Sequence, residues 1–222
     1  MARQASTQPD SATSGAQSRR ELRRLQYQHI SRAQLLDAAE EVFGRKGFHE
    51  ATLKEMAELA EFSVGSVYTF FENKDDLFRQ IFVRRGDEFM PGLREALHPD
   101  GTPLDQLHRL VDFQVGFFRR HPWFGRLYLR YSSATSPEAD REIDPAVAAN
   151  HEEAMRLQAD LFARGQAAGV FRAGDPAVLA RVFSGVISSY QALDPPVIDD
   201  HPGDERLPLE DLHDLVERAF AA

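Results

Sequence analysis

The residue types best suited to chemistry are one glutamate and one histidine, three positions apart. Glu210 and His213 form a Glu-x-x-His pair, which di-iron proteins carry on facing helices of a bundle. Such a centre needs two pairs and two further carboxylates, and the sequence provides one pair. The chain has no cysteine, which excludes disulfides, thiolate nucleophiles and zinc held by cysteine. Since phosphate loops and nucleophile motifs are also missing from the sequence, we expect no catalytic residue, metal or cofactor.

The composition is that of an ordinary globular protein. Of the 222 residues, 42% are hydrophobic and 27% are charged. No apolar run approaches the roughly 20 residues of a membrane span, and the first residues lack the apolar stretch of a secretory signal. We therefore expect a cytoplasmic protein that makes no membrane contact.

Charge is distributed unevenly along the chain. The net charge is -9, yet residues 1–85 hold 13 basic and 12 acidic side chains, while residues 86–222 hold 13 basic and 23 acidic ones. This asymmetry suggests that the N-terminal part can approach a polyanion, whereas the C-terminal part need not. Residues 1–26 are predicted to be a disordered basic tail that ends in a cluster of four arginines, Arg19, Arg20, Arg23 and Arg24.

Helix start signals are dense from residue 31 onwards. Ser31 with Gln34, and Thr52 with Glu55, have the spacing of a capping box, and Asn73 is a third capping residue. Later Thr-Pro and Asp-Pro steps mark further starts, because proline suits the first helical position. Apolar periodicity predicts helices over 104–119, 123–131, 146–168, 176–193 and 208–221. No segment alternates with the period of a strand, so the predicted fold class is all-α.

Glycine and proline mark the ends and breaks of these helices. Gly47 suits a left-handed C-terminal cap, so the first helix is predicted to end near Lys46. Pro91 and Gly92 are expected to kink or divide the helix that begins near Lys74. Residues 194–204 are predicted to be a loop.

The segment 52–72 predicts two helices of about two turns each. Met56 and Ala57 lie on the apolar face of the first, and Ser63 caps a second that carries Val67 and Phe71. Helices this short are marginal alone, so the longer helix before them must brace them. This is the arrangement of a three-helix helix-turn-helix domain, although a pair of core helices without a DNA role fits the same periodicity.

Residues 31–77 resemble the DNA-binding domain of TetR-family transcriptional regulators. The resemblance is densest from Thr52 to Leu77 and is carried by Phe43, Gly47, Phe48, Thr52, Met56, Ala57, Ser63, Gly65, Tyr68, Phe71, Lys74 and Leu77. The all-helical remainder is compatible with the family's diverse ligand-binding domain and identifies no subfamily.

The resemblance implies that the second short helix enters the major groove of DNA. Gly65 would let the backbone approach DNA closely, Tyr68 would reach a phosphate, and Lys74 would contact the DNA backbone. The full set of implied contacts is Thr52, Ser63, Val64, Gly65, Ser66, Tyr68, Thr69, Phe70 and Lys74. Structural alternatives stay open: Tyr68 as a half-buried core residue, Lys74 as a solvated charge and Thr52 as a cap.

Two departures from the family pattern bear on DNA binding. Glu61 occupies a turn position that usually carries glycine in the family, where it would be strained if the turn keeps its left-handed geometry and would place negative charge near DNA. Phe70 occupies a position often held by histidine, and no charged residue lies between Phe62 and Phe71. We therefore do not expect a side chain of this helix to bind guanine through two hydrogen bonds. Recognition of a particular DNA sequence would depend on apolar contacts, DNA shape and the arginine cluster.

Seven aromatic residues between Phe113 and Tyr131 predict either a core stripe or a ligand pocket. In the pocket interpretation, the ligand would meet Phe113, Phe117, Trp123, Arg126 and Tyr128. Either Arg126 or Arg130 would be available to an acidic group of the ligand.

The last two helices resemble the family's dimerisation element, a four-helix interface with two helices from each subunit. The implied interface consists of Leu179, Val182, Phe183, Val186, Tyr190, Leu212 and Val216. Small residues at Ala180, Ser184 and Gly185 would permit close approach. A buried pair of helices within one chain explains the same pattern.

Together these features predict a disordered basic tail over 1–26, a helix-turn-helix domain over 27–77 and a ligand-binding and dimerisation domain over 78–222. The expected function is a homodimeric repressor that binds a double-stranded DNA operator and leaves it when a small-molecule effector binds. The rival interpretations are a helical ligand-binding or interaction protein without DNA binding, and a metal-dependent helical-bundle enzyme.

Overall fold

The computed structural model of the protein describes residues 11–132, 144–194 and 206–222, with side chains over 25–131 in the first range. Within these ranges the regular elements are nine α-helices, beside one isolated antiparallel bridge between Phe171 and Ala221. The helices are α1 (Ser11–Glu50), α2 (Leu53–Leu59), α3 (Val64–Phe70), α4 (Lys74–Ala96), α5 (Pro103–Arg120), α6 (Pro122–Ser132), α7 (Pro145–Ala167), α8 (Pro176–Gln191) and α9 (Leu209–Phe220). The all-α prediction is confirmed.

Most predicted helix starts are confirmed by their capping hydrogen bonds. A side-chain oxygen accepts a first-turn backbone N–H at Thr52, Ser63, Asn73, Thr102, Asp144 and Asp175. At Thr52 the bond is reciprocal, because the Glu55 carboxylate accepts the Thr52 amide at 3.1 Å. These caps satisfy donors that a helix start otherwise leaves unpaired.

The predicted helix start at Ser31 is wrong. Helix α1 runs through this position, and Ser31 is 1% exposed. Residues 19–30 contain no glycine or proline, so nothing in that segment interrupts the helix. The backbone of residues 11–26 is accordingly helical, where the sequence predicted a disordered tail. Residues 1–10 and the side chains of the arginine cluster lie outside the described residues.

The predicted end of the first helix is confirmed, whereas the predicted division of α4 is not. Gly47 has a φ of 77° and interrupts the helical backbone of α1. Helix α4 continues through Pro91 to Ala96. A side chain at Gly92 would place its Cβ 2.2 Å from Cε2 of Phe113. Gly92 therefore serves the close approach of α4 and α5 rather than a break.

Two hydrophobic clusters form the core, and α4 belongs to both. The N-terminal cluster joins α1–α3 to α4, α5 and α6, with Phe43 and Ile81 fully buried. The C-terminal cluster packs α4 and α5 against α7, α8 and α9, with Leu93 and Phe162 fully buried. Because α4 contributes to both clusters, a shift of one cluster reaches the other through a packed helix. None of the described helices combines the length and apolarity needed to cross a membrane.

Candidate DNA-binding surface and ligand cavity

Helix α3 is anchored on one side and open on the other. Its cap Ser63 accepts the Ser66 amide at 3.1 Å, and Val67 is buried in the N-terminal cluster. The open face consists of Val64, Gly65, Tyr68 and Thr69. These four residues share a face because positions four apart are neighbours on a helix. An exposed face of small and amphipathic side chains is what close approach to another surface requires.

Tyr68 lies on this open face rather than in the core. Its side chain is 58% exposed, so the alternative of a half-buried core tyrosine does not hold. Phe70 is half-buried and packs against the N-terminal cluster, and Phe71 is 3% exposed. Tyr68 is thus available to a partner, while Phe70 is largely committed to the fold.

The hydroxyl groups near α3 already have local partners. Thr52 Oγ1 donates to a Glu55 carboxylate oxygen at 2.8 Å, and Thr69 Oγ1 donates to the Gly65 carbonyl at 3.3 Å. The Ser63 and Ser66 hydroxyls lie 2.9 Å apart. Contact with DNA would therefore exchange existing hydrogen bonds at these positions rather than satisfy free groups.

The protein itself does not require a glycine at position 65. The nearest atom to a Cβ built on Gly65 is Ser63 Oγ, at the ordinary contact distance of 3.7 Å. A methyl group fits there without moving a neighbour. The fold therefore leaves room for a side chain at this exposed position.

Lys74 joins α4 to the end of α1. Its Nζ donates to the carbonyl oxygens of Phe48 at 2.9 Å, Ala51 at 3.1 Å and His49 at 3.4 Å. The ammonium also lies 4.4 Å from the centre of the Phe48 ring. All three protons are thus directed at backbone carbonyls, so Lys74 acts as a structural cap and not as a solvated charge.

Glu61 has the left-handed backbone that the sequence indicated. Its φ is 61°, the one positive value at a non-glycine position in the described ranges. The Phe62 amide donates to the Ala57 carbonyl at 2.8 Å, and the Glu61 amide donates to the Glu58 carbonyl at 3.1 Å. This pair of bonds is the Schellman ending of a helix, in which the left-handed position usually carries glycine. The turn between α2 and α3 keeps its geometry despite the strained glutamate.

A cavity of about 130 Å³ lies between helices α4–α8. Its aromatic wall consists of Phe82, Phe89, Phe118, Phe124 and Tyr128. Burial raises the pKa of the Tyr128 phenol, which keeps this part of the wall uncharged. The polar side chains of the lining are Arg85, Gln114, Asn150, His151, Gln158, Ser184, Ser188 and Gln191.

Of the five predicted pocket residues, Tyr128 lines this cavity. Phe117 is buried in the N-terminal cluster and Phe113 packs between the two clusters. Trp123 lies between two arginines at the surface, with Arg45 at 4.9 Å and Arg126 at 4.6 Å from the ring. The aromatic stripe thus contributes to the core, and three of its seven residues, Phe118, Phe124 and Tyr128, also line the cavity.

Buried glutamines were the missed signal for the cavity. Gln114, Gln158 and Gln191 lie on three different helices and are at most 6% exposed. The Gln114 amide donates to Gln158 Oε1 at 3.3 Å. A glutamine on the apolar face of an amphipathic helix is unusual because a buried amide needs a partner. Three such positions in α5, α7 and α8 indicate a shared polar site.

One cavity residue is tied to the first helix. Arg85 donates to the Glu40 carboxylate from Nε at 2.8 Å and from one terminal nitrogen at 3.1 Å. Its other terminal nitrogen donates to Glu88 at 2.5 Å. Burial lowers the pKa of the Arg85 guanidinium, but bonding to Glu40 and Glu88 raises it by more. This buried pair connects the wall of the cavity to α1, which packs against α2.

The Glu-x-x-His pair takes part in a contact between α5 and α9. His213 Nε2 lies 2.8 Å from Asp112 Oδ1, and its ring centre lies 4.8 Å from that of His108. Glu210 is exposed. Within the described ranges, no group of three histidine or acidic side chains is arranged to hold a metal ion.

The predicted dimer residues divide into a buried set and one exposed residue. Phe183, Leu212 and Val216 are at most 2% exposed in a single chain. Partly buried positions of the C-terminal cluster are Leu179, Val186 and Tyr190. Val182 is 51% exposed. The most apolar faces of α8 and α9 thus serve the chain's own core.

Other positions of α8 and α9 are exposed. They are Val178 and Val182 on α8 and Leu215 on α9, each more than half exposed. A Cβ built on Gly185 meets nothing within 4 Å. Of the three small residues, Ala180 is buried and Ser184 bonds to Gln158 at 3.3 Å, which leaves Gly185 among the exposed positions. We call Val178, Val182, Gly185 and Leu215 the open α8–α9 face.

Two family models match the chain. The one described as "Bacterial regulatory proteins, tetR family" matches residues 35–81, and "Tetracyclin repressor-like, C-terminal domain" matches residues 100–191. Among curated proteins, the chain is 30% identical over 118 residues to the HTH-type transcriptional activator FasR of Mycolicibacterium smegmatis, covering 53% of this chain and 54% of that protein. The chain spans about half the length of the first curated relatives that it matches.

Solved structures share the fold. The ketosteroid transcriptional regulator KstR2 of Mycobacterium tuberculosis has a TM-score of 0.69 at 17% identity, covering 86% of this chain and 95% of its own. AibR in complex with isovaleryl coenzyme A and operator DNA also has a TM-score of 0.69 at 17% identity, covering 85% and 97%. With family models matching residues 35–81 and 100–191, the chain belongs to the TetR family of bacterial transcriptional regulators.

Proposed function

We propose that the protein is a homodimeric, ligand-responsive DNA-binding regulator that releases its operator when a small molecule occupies the cavity between α4 and α8. The observation that carries this proposal is the open face of α3, where Gly65 has room for a methyl group and Tyr68 is exposed. Such a face suits insertion into the major groove, with phosphate contacts on either side.

The DNA contacts proposed are those of the exposed face of α3. Val64 and Thr69 would meet base edges or thymine methyl groups, and Tyr68 would donate its hydroxyl to a phosphate. Further contacts are proposed for Thr52, whose hydroxyl lies at the start of α2, and for Ser63 and Ser66, whose hydroxyls lie at the start of α3. Lys74 would act indirectly, because its amine holds the end of α1 against α4. Phe70 would support α3 from beneath.

The effector proposed is a small, largely apolar molecule. Its site has an aromatic wall and amide groups, as ligand pockets commonly do. One solved neighbour is a ketosteroid transcriptional regulator, and another is a complex with isovaleryl coenzyme A and operator DNA. A steroid skeleton and an isovaleryl group are both apolar, which agrees with the character of this cavity.

Communication between cavity and DNA is proposed to run through α4 and its bond to α1. Phe82 and Arg85 line the cavity, and Arg85 holds Glu40 of α1. A ligand that displaces α4 would therefore move α1 and the short helices packed on it. In a dimer such a movement changes the spacing of the two recognition helices and weakens operator binding.

Dimerisation is proposed to use the open α8–α9 face. Val178, Val182 and Leu215 give it apolar area, and Gly185 lets a partner helix approach closely. A two-fold dimer would present two α3 helices to half-sites one helical turn apart.

A mobility-shift titration on the intergenic DNA upstream of the protein's own gene tests the regulator function. The wild type, Tyr68→Phe and Tyr68→Ala are compared across a salt series, with circular dichroism melts to verify folding. We expect saturable, competitor-resistant binding that weakens in Tyr68→Phe and further in Tyr68→Ala, because the hydroxyl and ring contribute separately. Equal affinity of all three proteins would contradict the assigned role of α3.

One rival function has specific support. The negative charge of Glu61 beside a neutral α3 favours a ligand-binding protein that has lost DNA binding. Selection of bound fragments from the whole genome separates the two. Enrichment of one motif supports the regulator, and recovery of no motif supports the rival.

A further inference from the structure

The strongest unexplained group in the protein is the side-chain amide of Gln191. This residue is the last of α8, lines the cavity and is 3% exposed. Its Nε2 is buried and has no hydrogen-bond partner among the described residues. A buried donor without a partner costs free energy, so its retention at this position calls for an acceptor that arrives from elsewhere.

The other two buried glutamines of the cavity are already paired. Gln114 donates to Gln158 Oε1 at 3.3 Å, and Gln158 donates to the Ala154 carbonyl at 3.1 Å. Ser184 Oγ also donates to Gln158 Oε1, at 3.3 Å. Gln191 therefore differs from these two glutamines in having a buried donor without a partner among the described residues.

The charges around the cavity do not favour an anion. Arg85 is the lining residue of fixed positive charge in the described chain, and it bonds to both Glu40 and Glu88. The adjacent Arg84 bonds to Glu40 and Asp37. Two arginines thus face three carboxylates. A carboxylate ligand would enter a region whose positive charge is already balanced by carboxylates of the protein. The free-energy cost of desolvating the ligand would therefore not be offset by a new ion pair.

The volume limits the part of the ligand that enters. A cavity of about 130 Å³ is close in size to an engineered cavity of about 150 Å³ that holds benzene, so it accepts about six heavy atoms. Tyr128, His151, Met155, Ser184 and Ser188 also border an open groove outside the cavity. A longer ligand could place one end in the cavity and the remainder in this groove.

Resting on the ligand site proposed above, the geometry points to a ligand whose buried end is uncharged and carries a carbonyl oxygen that accepts a hydrogen bond from Gln191 Nε2. The apolar part of this end packs on the aromatic wall. Gln191 is thereby the specificity-determining residue that separates carbonyl compounds from hydrocarbons and carboxylates of the same size.

Three probes of six heavy atoms test this assignment: pentan-2-one, 2-methylpentane and butanoate. Each is titrated into the full-length protein, with binding followed by chemical shifts of the glutamine side-chain amides. We expect pentan-2-one to bind about fivefold more tightly than 2-methylpentane, the ratio of one net hydrogen bond, and butanoate to bind most weakly. Equal binding of the ketone and the alkane, or preference for butanoate, would overturn the inference.

Two variants with the same chemical change give the control. Gln191→Leu removes the unpaired donor and is expected to raise the melting temperature while abolishing the preference for the ketone. Gln114→Leu removes a paired amide from the same cavity and is expected to lower the melting temperature while keeping the preference. A ketone preference that survives in Gln191→Leu assigns the contact to another residue and defeats the proposal.

The regulator function is tested separately, by operator binding without any probe. Operator binding by the wild type and by Gln191→Leu, combined with no ketone preference, would defeat the Gln191 assignment and leave the regulator intact. A ketone preference in a protein that binds no DNA would support Gln191 and defeat the regulator.

Discussion

At the scale of single residues, α3 has positions on its open face that the fold does not require and positions on the opposite face that pack in the core. Gly65 has room for a methyl group, with 3.7 Å to the nearest atom. Val67, on the opposite face, is 1% exposed and belongs to the core. A change at Gly65 therefore tests contact with DNA without disturbing packing.

Gly65→Ala is expected to keep or raise stability, by up to about 1 kcal/mol, because alanine is the better helix former. Operator affinity is expected to fall roughly tenfold, since the methyl group keeps the backbone of α3 from the DNA. Urea melts and mobility shifts measure the two effects. Gly116→Ala in α5 is the matched control, because its added Cβ lies 3.4 Å from the flexible end of Arg120. Undiminished affinity in Gly65→Ala would refute close approach at this position.

Glu61 combines backbone strain with an unfavourable charge, and two variants separate these effects. Glu61→Gly is expected to raise the free energy of unfolding by about 1 kcal/mol, because glycine adopts the left-handed conformation without strain. Glu61→Gln keeps the strain and removes the charge. Both variants are expected to bind operator more tightly at low salt, and Glu61→Gly alone to gain stability. Chemical denaturation measures the stability of both variants, and mobility shifts measure their operator affinity. A Glu61→Gly variant less stable than the wild type would contradict the strain argument.

At the scale of elements, the sequence predicted where the helices lie better than it predicted which element covers each apolar helix face. Caps such as Thr52 and Asp175 depend on neighbours two or three residues away, so local sequence is enough to find them. Ser31 failed because the capping-box spacing also occurs inside an uninterrupted helix. Phe183 and Leu212 were assigned to a dimer, since periodicity identifies an apolar face without saying which element covers it.

The cavity was beyond sequence reasoning for a related reason. Its polar residues Gln114, Gln158 and Gln191 come from three helices that are distant in sequence. Only packing brings them together. The sequence alone shows the aromatic residues over 113–131. Which of their rings face the cavity depends on how α5 and α6 pack against the other helices.

The Arg85–Glu40 pair joins α4 to α1, and removing one member is expected to be costly. Glu40→Gln should destabilise the protein by about 3 kcal/mol, because Arg85 would remain buried with less compensation. The double variant Glu40→Leu with Arg85→Met should recover most of this loss. Urea denaturation of the two variants and wild type measures the coupling. A double variant as unstable as Glu40→Gln would show that the pair is not the source of the effect.

At the junction of α5 and α6, His121 gives stability a pH dependence of defined sign. Burial and the nearby Arg85 lower its pKa from the usual 6.5. Below about pH 6.5 the unfolded chain therefore binds more protons at this site than the folded protein does, and stability falls on acidification. His121→Gln is expected to lose less stability than wild type between about pH 7.5 and 5.5. His98→Gln, at a side chain 58% exposed, is the matched control, and a slope unchanged in His121→Gln would reject the assignment.

At the scale of the whole molecule, charge and shape agree on which end meets DNA. The first 85 residues are near neutrality, whereas the remainder carries 23 acidic against 13 basic side chains. An acidic C-terminal part is repelled by phosphates, so a DNA-bound molecule would orient its N-terminal part toward the duplex. In the proposed dimer, association of the C-terminal parts would hold two N-terminal parts on one operator.

The open α8–α9 face makes this association testable by a pair of reciprocal substitutions. Val182→Lys places a charge on that face, and Val64→Lys places the same charge on the open face of α3; both valines are exposed. We expect Val182→Lys to sediment as a monomer and to lose roughly 100-fold in operator affinity, because the second half-site is no longer bound by a linked partner. Val64→Lys should remain a dimer and change DNA binding alone. Sedimentation and mobility shifts on both variants decide, and a dimeric Val182→Lys would move the interface to another surface.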